Sequence, residues 1–123
     1  MRKIEKEIKN GIEIIDYTDH SYMTAMSFGA WRVAYLNHGE IFKEENFERL
    51  ERHLETDEVF MLLEGEATLI IGKELTRIPM EQHKVYNIPK GVWHTILTQP
   101  ETRVFIVENA DTSPENSEYF ELK

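Results

Sequence analysis

At 123 residues, the chain is long enough for one domain with a packed core. It contains no cysteine, which excludes disulfide bonds, thiolate metal sites and a cysteine nucleophile. Its 23 acidic and 14 basic side chains give a formal net charge of −9, which argues against a nucleic-acid partner.

The first residues carry no signal for export or membrane insertion. Charged side chains alternate with isolated isoleucines over residues 1–9, without the apolar stretch of a secretory signal. Ile4 and Ile8 fit either a short helix or an edge strand, and Asn10-Gly11 then supplies a turn. No apolar run approaches the length of a membrane span. We therefore expect a cytoplasmic protein without a membrane partner.

The segment from Ser27 to Asn37 is rich in aromatic and β-branched residues, and its side chains alternate between two rows, which is typical of a strand. One row of this strand contains Trp31 and Tyr35, and the opposite row contains Arg32. We expect the aromatic row to face the core and Arg32 to face solvent. In the alternative, the opposite row faces a ligand cavity, and Arg32 becomes a candidate for binding an anion.

Residues 42–54 have two interpretations. Their apolar side chains fit one stripe of a helix, whereas a strand would place Arg49, Glu51 and His53 on one side. A polar row of this kind is unusual in a packed core and natural in a pocket.

The next predicted strand, residues 58–63, is apolar on both sides, so we expect it to be buried on both faces. Gly65 and Gly72 then mark turns in a meander of short antiparallel strands. The outer row of Val59–Leu63 needs a cover, and we expect a homodimer to provide it. In a monomer, residues 1–15 would have to cover this row instead.

The residues Pro89-Lys90-Gly91 are predicted to form a sharp turn. His94 follows this turn at the start of another predicted strand. Thr98 lies on the same face of that strand as His94. Residues 102–108 are predicted to form a last strong strand, and residues 109–117 a loop. Many short strands separated by turns indicate an all-β barrel or sandwich.

Two spacings in the chain resemble the conserved motifs of the cupin superfamily. They are Glu58-x6-Gly65 and Pro89-x-Gly91-x2-His94. The motif regions span residues 51–65 and 83–98. The resemblance implies an all-β, cupin-type double-stranded β-helix, or jelly-roll barrel, in a single domain over residues 1–123. It also favours the strand interpretation of residues 42–54.

The resemblance further implies a metal site. His53, Glu58 and His94 match ligand positions of the family, for a divalent transition metal such as iron, manganese, zinc or nickel. Glu51 stands where the family has a further histidine, and we expect it to add a fourth, oxygen ligand. A carboxylate at this position makes the site harder and more anionic.

Two residues are predicted to contact a substrate. Arg49 would pair with the carboxylate two residues later or anchor an anionic substrate. Thr98 would contact the substrate from the strand face that carries the last motif histidine. With the family's shorter motif spacing, the ligand positions would instead fall on Arg52 and Leu54, and the site would be metal-free.

Three functions remain open at this point. The first is a metal-dependent enzyme acting on a small oxygen-rich molecule, of dioxygenase, isomerase or decarboxylase type, as the resemblance implies. The second is a non-catalytic protein that binds a sugar or a carboxylate. The third is a metal-free sugar isomerase or epimerase in which histidine and tyrosine side chains transfer protons, and His53 with Glu51 would provide the histidine–carboxylate pair that it needs. All three require a small-molecule ligand inside the barrel.

Overall fold

The computed structural model describes residues 3–122, and this part of the chain is built almost entirely from strands. The twelve strands are β1 (Glu5–Lys9), β2 (Ile12–Asp16), β3 (Ser21–Phe28), β4 (Trp31–Asn37), β5 (Arg49–His53), β6 (Glu58–Glu64), β7 (Ala67–Ile71), β8 (Thr76–Pro79), β9 (Tyr86–Ile88), β10 (His94–Thr98), β11 (Arg103–Asn109) and β12 (Ser117–Glu121). Three short 3₁₀ turns cover Glu40–Phe42, Glu44–Asn46 and Pro114–Asn116. Within residues 3–122, no helix has the length and apolar character needed to span a bilayer.

Ten of these strands form two five-stranded antiparallel sheets. The front sheet has the order β3-β4-β11-β6-β9, and the back sheet has the order β12-β5-β10-β7-β8. Strands β1 and β2 form a separate hairpin. The central strand of each sheet is paired with strands from distant parts of the chain, since β11 lies between β4 and β6, and β10 lies between β5 and β7. This crossed connectivity is that of a jelly roll.

The main core lies between the two sheets. Phe60 and Leu62 of β6 project from the front sheet, and Leu69 and Ile96 project from β7 and β10 of the back sheet. A smaller cluster on the other face of the back sheet contains Leu50, Ile70 and Leu97, covered by aromatic side chains. Burial of both faces explains why β7 and β10, in the middle of the back sheet, carry apolar residues in both rows.

Gly65 makes the tight connection between β6 and β7. Its φ of +85° is in the region that L side chains rarely adopt, and a Cβ there would lie 2.5 Å from the Cα of Thr102. The Oγ1 of Thr102 accepts a hydrogen bond from the backbone N–H of Glu66, so the chain crosses this point with its backbone polar groups satisfied. Glycine is therefore required here both by backbone conformation and by close approach.

The expected orientation of β4 is wrong. Ala34 and Leu36 are buried in the core, whereas Trp31 is 44 % exposed at the start of the strand. Arg32 belongs to the buried row, so its side chain points into the barrel and not toward solvent. Both rows of this strand are largely apolar, and the sequence pattern does not distinguish which one meets the opposite sheet.

The remaining predictions for strands are partly met. Residues 5–16 form a hairpin through a left-handed Asn10-Gly11 turn, which settles the choice between helix and strand. Residues 42–48 are mainly 3₁₀ turns, and the predicted strand begins only at Arg49. On β6 the inner row is buried as expected, but the outer row of Val59, Met61 and Leu63 is partly exposed.

Candidate metal centre

Three strands carry the predicted ligands to the inside of the barrel. Glu51 and His53 lie on β5, and His94 lies on β10 directly opposite Glu51 in the antiparallel register, so their side chains point to the same face. Glu58 opens β6 in the front sheet, after the chain crosses over at residues 54–57. The crossing is short, which brings the carboxylate of Glu58 back toward the imidazole of His53.

The turn of the second motif joins these elements. The backbone N–H of Gly91 donates a hydrogen bond to the carbonyl oxygen of His53 at 2.7 Å. The carboxylate of Asp57 accepts from the backbone N–H of Lys90 at 2.9 Å and from the side chain of Asn87 at 3.1 Å. The two motif regions are therefore tied together by backbone groups, which sets the relative positions of the imidazoles.

The two imidazoles converge on one carboxylate oxygen. Oε1 of Glu58 lies 3.1 Å from Nε2 of His53 and 3.0 Å from Nε2 of His94. The ring centroids are 5.3 Å apart. All three residues are at most 8 % exposed, so the group is shielded from bulk water.

Hydrogen bonds on the far side of each ring determine its tautomer. Nδ1 of His94 lies 2.9 Å from the carbonyl oxygen of Val92, which can only accept, so this nitrogen carries a proton. Nδ1 of His53 lies 2.9 Å from Oγ of Ser117. That hydroxyl donates its single proton to the carbonyl of Ser113, so it accepts from His53. In both neutral rings the lone pair is therefore on Nε2, facing the carboxylate.

This arrangement attracts positive charge. Two Nε2 lone pairs and a carboxylate oxygen repel one another unless protons or a cation lie between them. Burial favours the neutral form of His53 and His94, but hydrogen bonds to Glu58 and its negative charge outweigh burial and raise the pKa of both rings. Burial likewise opposes ionisation of Glu58, yet the bonds from both imidazoles lower its pKa.

Two more carboxylates approach the histidines. Ligand atoms of Glu51, His53 and His94 all lie within 4.8 Å of one another, and the same holds for His53, Glu58 and Glu108. Burial raises the pKa of Glu51. Within residues 3–122, the carboxylate of Glu51 makes no hydrogen bond or ion pair, so it is available to a ligand. Both groups suit a divalent transition metal, because they combine imidazole nitrogen with carboxylate oxygen.

Glu108 belongs to a cluster that sequence reasoning missed. Its Oε2 accepts hydrogen bonds from the hydroxyl of Tyr22 at 2.8 Å, from Nε of Arg32 at 3.0 Å and from Nη2 of Arg32 at 2.7 Å. For Arg32 the sequence did contain a signal, because the row of β4 that includes Arg32 was one of the two rows that could face the interior of the barrel. Glu108 stands at the end of an apolar run, where a polar residue normally marks the end of a strand.

The centre opens into a cavity of about 430 Å³ between the two sheets. Beside it lies a groove of about 620 Å³ that is bordered by residues 40–49, and both spaces are lined by Glu51 and Tyr119. Strands β5 and β10 share a single registered pair, His94 with Glu51, so they diverge and leave this space open. The cavity has the size of a small-molecule site.

The two predicted substrate contacts lie outside the group of ligands. Arg49 lines the groove, forms an ion pair with Glu121 at 3.1 Å and does not pair with Glu51. Thr98 is buried, and its Oγ1 lies 2.7 Å from Nδ1 of His38. The lining of the cavity does not include Thr98. Both substrate roles remain predictions.

The shorter motif spacing does not agree with the structure. Arg52, which it places at a ligand position, lies on the outer face of the back sheet, with its guanidinium 4.3 Å from the ring centroid of Trp93. It also forms an ion pair with Glu118. The longer spacing, which selects His53, is the one whose side chains meet inside the barrel.

The architecture is similar to that of several solved structures. Pac13 from Streptomyces, described as a nucleoside dehydratase, has a TM-score of 0.63 at 8% identity, covering 96% of this chain and 85% of that one. A cupin-2 domain containing protein from Shewanella frigidimarina has a TM-score of 0.55 at 22% identity, covering 76% and 84%. The Fe(II) form of HppE has a TM-score of 0.57 at 14% identity, covering 88% and 56%.

The sequence itself has no comparable match, since no family model and no curated protein matches it. At these identities, the structural likenesses concern the fold alone.

Proposed function

We propose that this chain, a cupin-type double-stranded β-helix, binds a divalent transition metal through His53, Glu58 and His94 and converts a small oxygen-rich molecule. The observation that carries the proposal is the convergence of the Nε2 atoms of both imidazoles on one buried carboxylate oxygen. Each imidazole is held in the correct tautomer by a hydrogen bond on its other nitrogen, as is usual for metal-bound histidines.

The donor set supports an ion of the iron, manganese, zinc or nickel type. Two imidazole nitrogens and one carboxylate oxygen suit these metals and leave coordination positions open for a substrate. When bound, such an ion would polarise a carbonyl or hydroxyl oxygen of the substrate. Around it, His53 and His94 are held in place by Ser117 and Val92, and burial keeps bulk water out.

The lining of the cavity supports a hydroxyl-rich or otherwise oxygen-rich substrate. Tyr22, Arg32 and Glu108 provide hydrogen-bonding groups on one side, and Glu51 provides a carboxylate on the other. The apolar wall of Phe60 and neighbouring core residues would pack against the carbon skeleton. Among proteins of similar fold, Pac13 is described as a nucleoside dehydratase, a substituted variant of it is described with uridine, and HppE was crystallised in an Fe(II) form.

A second candidate function is metal-free proton transfer. The raised pKa values of His53 and His94 favour imidazolium, which is a general acid when it faces a substrate. The carboxylate partner is Glu58, whereas the sequence suggested Glu51. The nucleoside dehydratase activity of Pac13 makes dehydration of a hydroxylated substrate the reaction class to test.

Metal content distinguishes the two candidates. The wild-type protein would be purified without chelators, incubated separately with Fe²⁺, Mn²⁺, Zn²⁺ or Ni²⁺, desalted and analysed by mass spectrometry. We expect about one ion per chain, as in other single centres of this kind. The His94→Gln variant should lose the ion. His83→Asn is the control, because His83 is exposed, is not among the residues that line the cavity, and has a φ of 68° that asparagine tolerates.

Failure of all four metals to bind the wild type would overturn the proposal and leave proton transfer as the remaining candidate. Equal metal content in His94→Gln and wild type would also overturn it, because the ion would then lie elsewhere. The folded state of each variant is checked by circular dichroism and thermal unfolding, so that loss of metal is not confused with loss of structure.

We also propose that the protein acts as a homodimer. The partly exposed outer row of β6 continues across the front sheet, since Met61 and Tyr35 both lie opposite Phe105 in the register. Residues 12–16 reach the edge of this face, where the hydroxyl of Tyr35 donates to the carbonyl of Ile15. A second copy could cover what this contact leaves exposed. The cytoplasmic location remains a prediction from the sequence.

A further inference from the structure

The carboxylate of Glu108 faces the cavity and is held in place by several hydrogen bonds. All three of its hydrogen bonds, from Tyr22 and from two nitrogens of Arg32, go to Oε2. Arg32 is itself anchored, since Nη1 donates to the carbonyl oxygen of Ala110 at 3.2 Å. The side chain of Glu108 is 3 % exposed. Within residues 3–122, its other oxygen, Oε1, makes no hydrogen bond, so one acceptor atom remains available.

The carboxylate of Glu108 is close enough to the centre to bind an ion there. Its ligand atom lies within 4.8 Å of those of His53 and Glu58, and all three residues are buried. Atoms that bind one ion at about 2.1 Å are at most about 4.2 Å apart, so a small movement of the side chains would complete the set.

Glu51 is the competing carboxylate. It forms the other group with His53 and His94, and both groups contain His53. Glu51 and Glu108 are therefore alternative candidates for a further carboxylate ligand of one ion bound to His53. Glu51 has no hydrogen-bond partner within residues 3–122, whereas Glu108 is oriented by three donors. Ligand carboxylates in metal sites are normally held by such partners, and losing them weakens metal binding by about 10- to 100-fold.

We propose that Glu108 is a further ligand of the ion held by His53, Glu58 and His94, and that Arg32 and Tyr22 are positioning residues that act through it. This inference rests on the proposed metal-binding function. It adds a ligand from β11, a strand outside both sequence motifs, and assigns a role to the buried Arg32–Glu108 ion pair. The guanidinium offsets one of the two carboxylate charges while the site is metal-free.

The test compares two isosteric substitutions in the full-length protein. Glu108→Gln and Glu51→Gln each remove one carboxylate, and the glutamine oxygen of Glu108→Gln can still accept from Arg32 and Tyr22. Binding of Mn²⁺ and Co²⁺ is measured by titration calorimetry. We expect Glu108→Gln to bind at least about 100-fold more weakly and Glu51→Gln less than about 5-fold more weakly. Glu66→Gln, at an exposed position, should bind like wild type.

A spectroscopic measurement and a positioning variant complete the test. The visible absorption of bound Co²⁺ reports the ligand set, and it should change in Glu108→Gln but not in Glu51→Gln. Tyr22→Phe removes one donor to Glu108, and we expect about a 10-fold loss of affinity with an unchanged Co²⁺ spectrum.

The opposite ranking of the two glutamine variants would overturn the inference and assign the ion to the group with Glu51. Wild-type affinity in Glu108→Gln would overturn it as well, while leaving the proposed function intact. If the wild-type protein binds none of the metals, the proposed function fails, and the inference fails with it.

Discussion

Metal affinity should depend steeply on pH, because the ion must replace protons on His53 and His94. Their pKa values in the folded protein are raised above the ordinary 6.5, so between about pH 5.5 and 6.5 both rings are mainly charged. Each bound proton that an ion displaces contributes about 1.4 kcal/mol per pH unit. Two protons therefore amount to at most about 2.7 kcal/mol, or a gain in affinity of up to about 100-fold over this interval.

Calorimetric titration with Mn²⁺ measures this coupling directly. Repeating it at one pH in buffers of different ionisation enthalpy counts the protons released, and we expect between about one and two per ion below pH 6.5. His83→Asn is the control, since this exposed imidazole lies outside the cavity lining and should not contribute. An affinity that stays constant from about pH 5.5 to 6.5, with no proton release, would refute the assigned tautomers and charges.

The same histidines determine how the stability of the metal-free protein changes with pH. A group whose pKa is raised on folding stabilises the folded state most fully below its unfolded pKa, here near 6.5. That contribution is lost as the pH rises through the folded-state pKa. Thermal unfolding of the metal-free protein should therefore occur at lower temperature above pH 6.5, and added metal should reverse the loss. A rise in metal-free stability over this range would contradict the reasoning.

Two further predictions concern the framework and the assembly. Gly65→Ala should lower the free energy of unfolding in urea by about 1–3 kcal/mol more than Gly11→Ala. Both glycines have a positive φ, but only Gly65 lies close to Thr102. Equal losses of unfolding free energy in the two variants would contradict the clash. Met61→Glu, on the outer row of β6, should shift the sedimentation equilibrium from dimer toward monomer, and a wild-type protein that is already monomeric at high concentration would rule out the proposed homodimer.

Much of the fold could be predicted because its signals are local. Glycines at tight turns and the Pro89–Gly91 turn mark where strands end, and alternating apolar residues mark the strands between them. The cupin-type fold predicted from the two motifs is confirmed. The motif spacing also singled out His53, Glu58 and His94, which the structure brings together at one carboxylate oxygen.

Other features depended on which surfaces meet in three dimensions. Arg32 and Trp31 are neighbours in a strand with two apolar rows, and only packing against the back sheet decided that the row of Arg32 faces inward. Glu108 is far from both motifs in sequence, and it reaches His53 because β11 lies beside β6.

The sequence by itself thus determined the all-β class, the turns and three residues of the centre, since each follows from neighbours or from a short spacing. Only the tertiary structure decided which side of β4 is buried and which carboxylates surround the histidines, because those depend on contacts between strands that are distant in the chain.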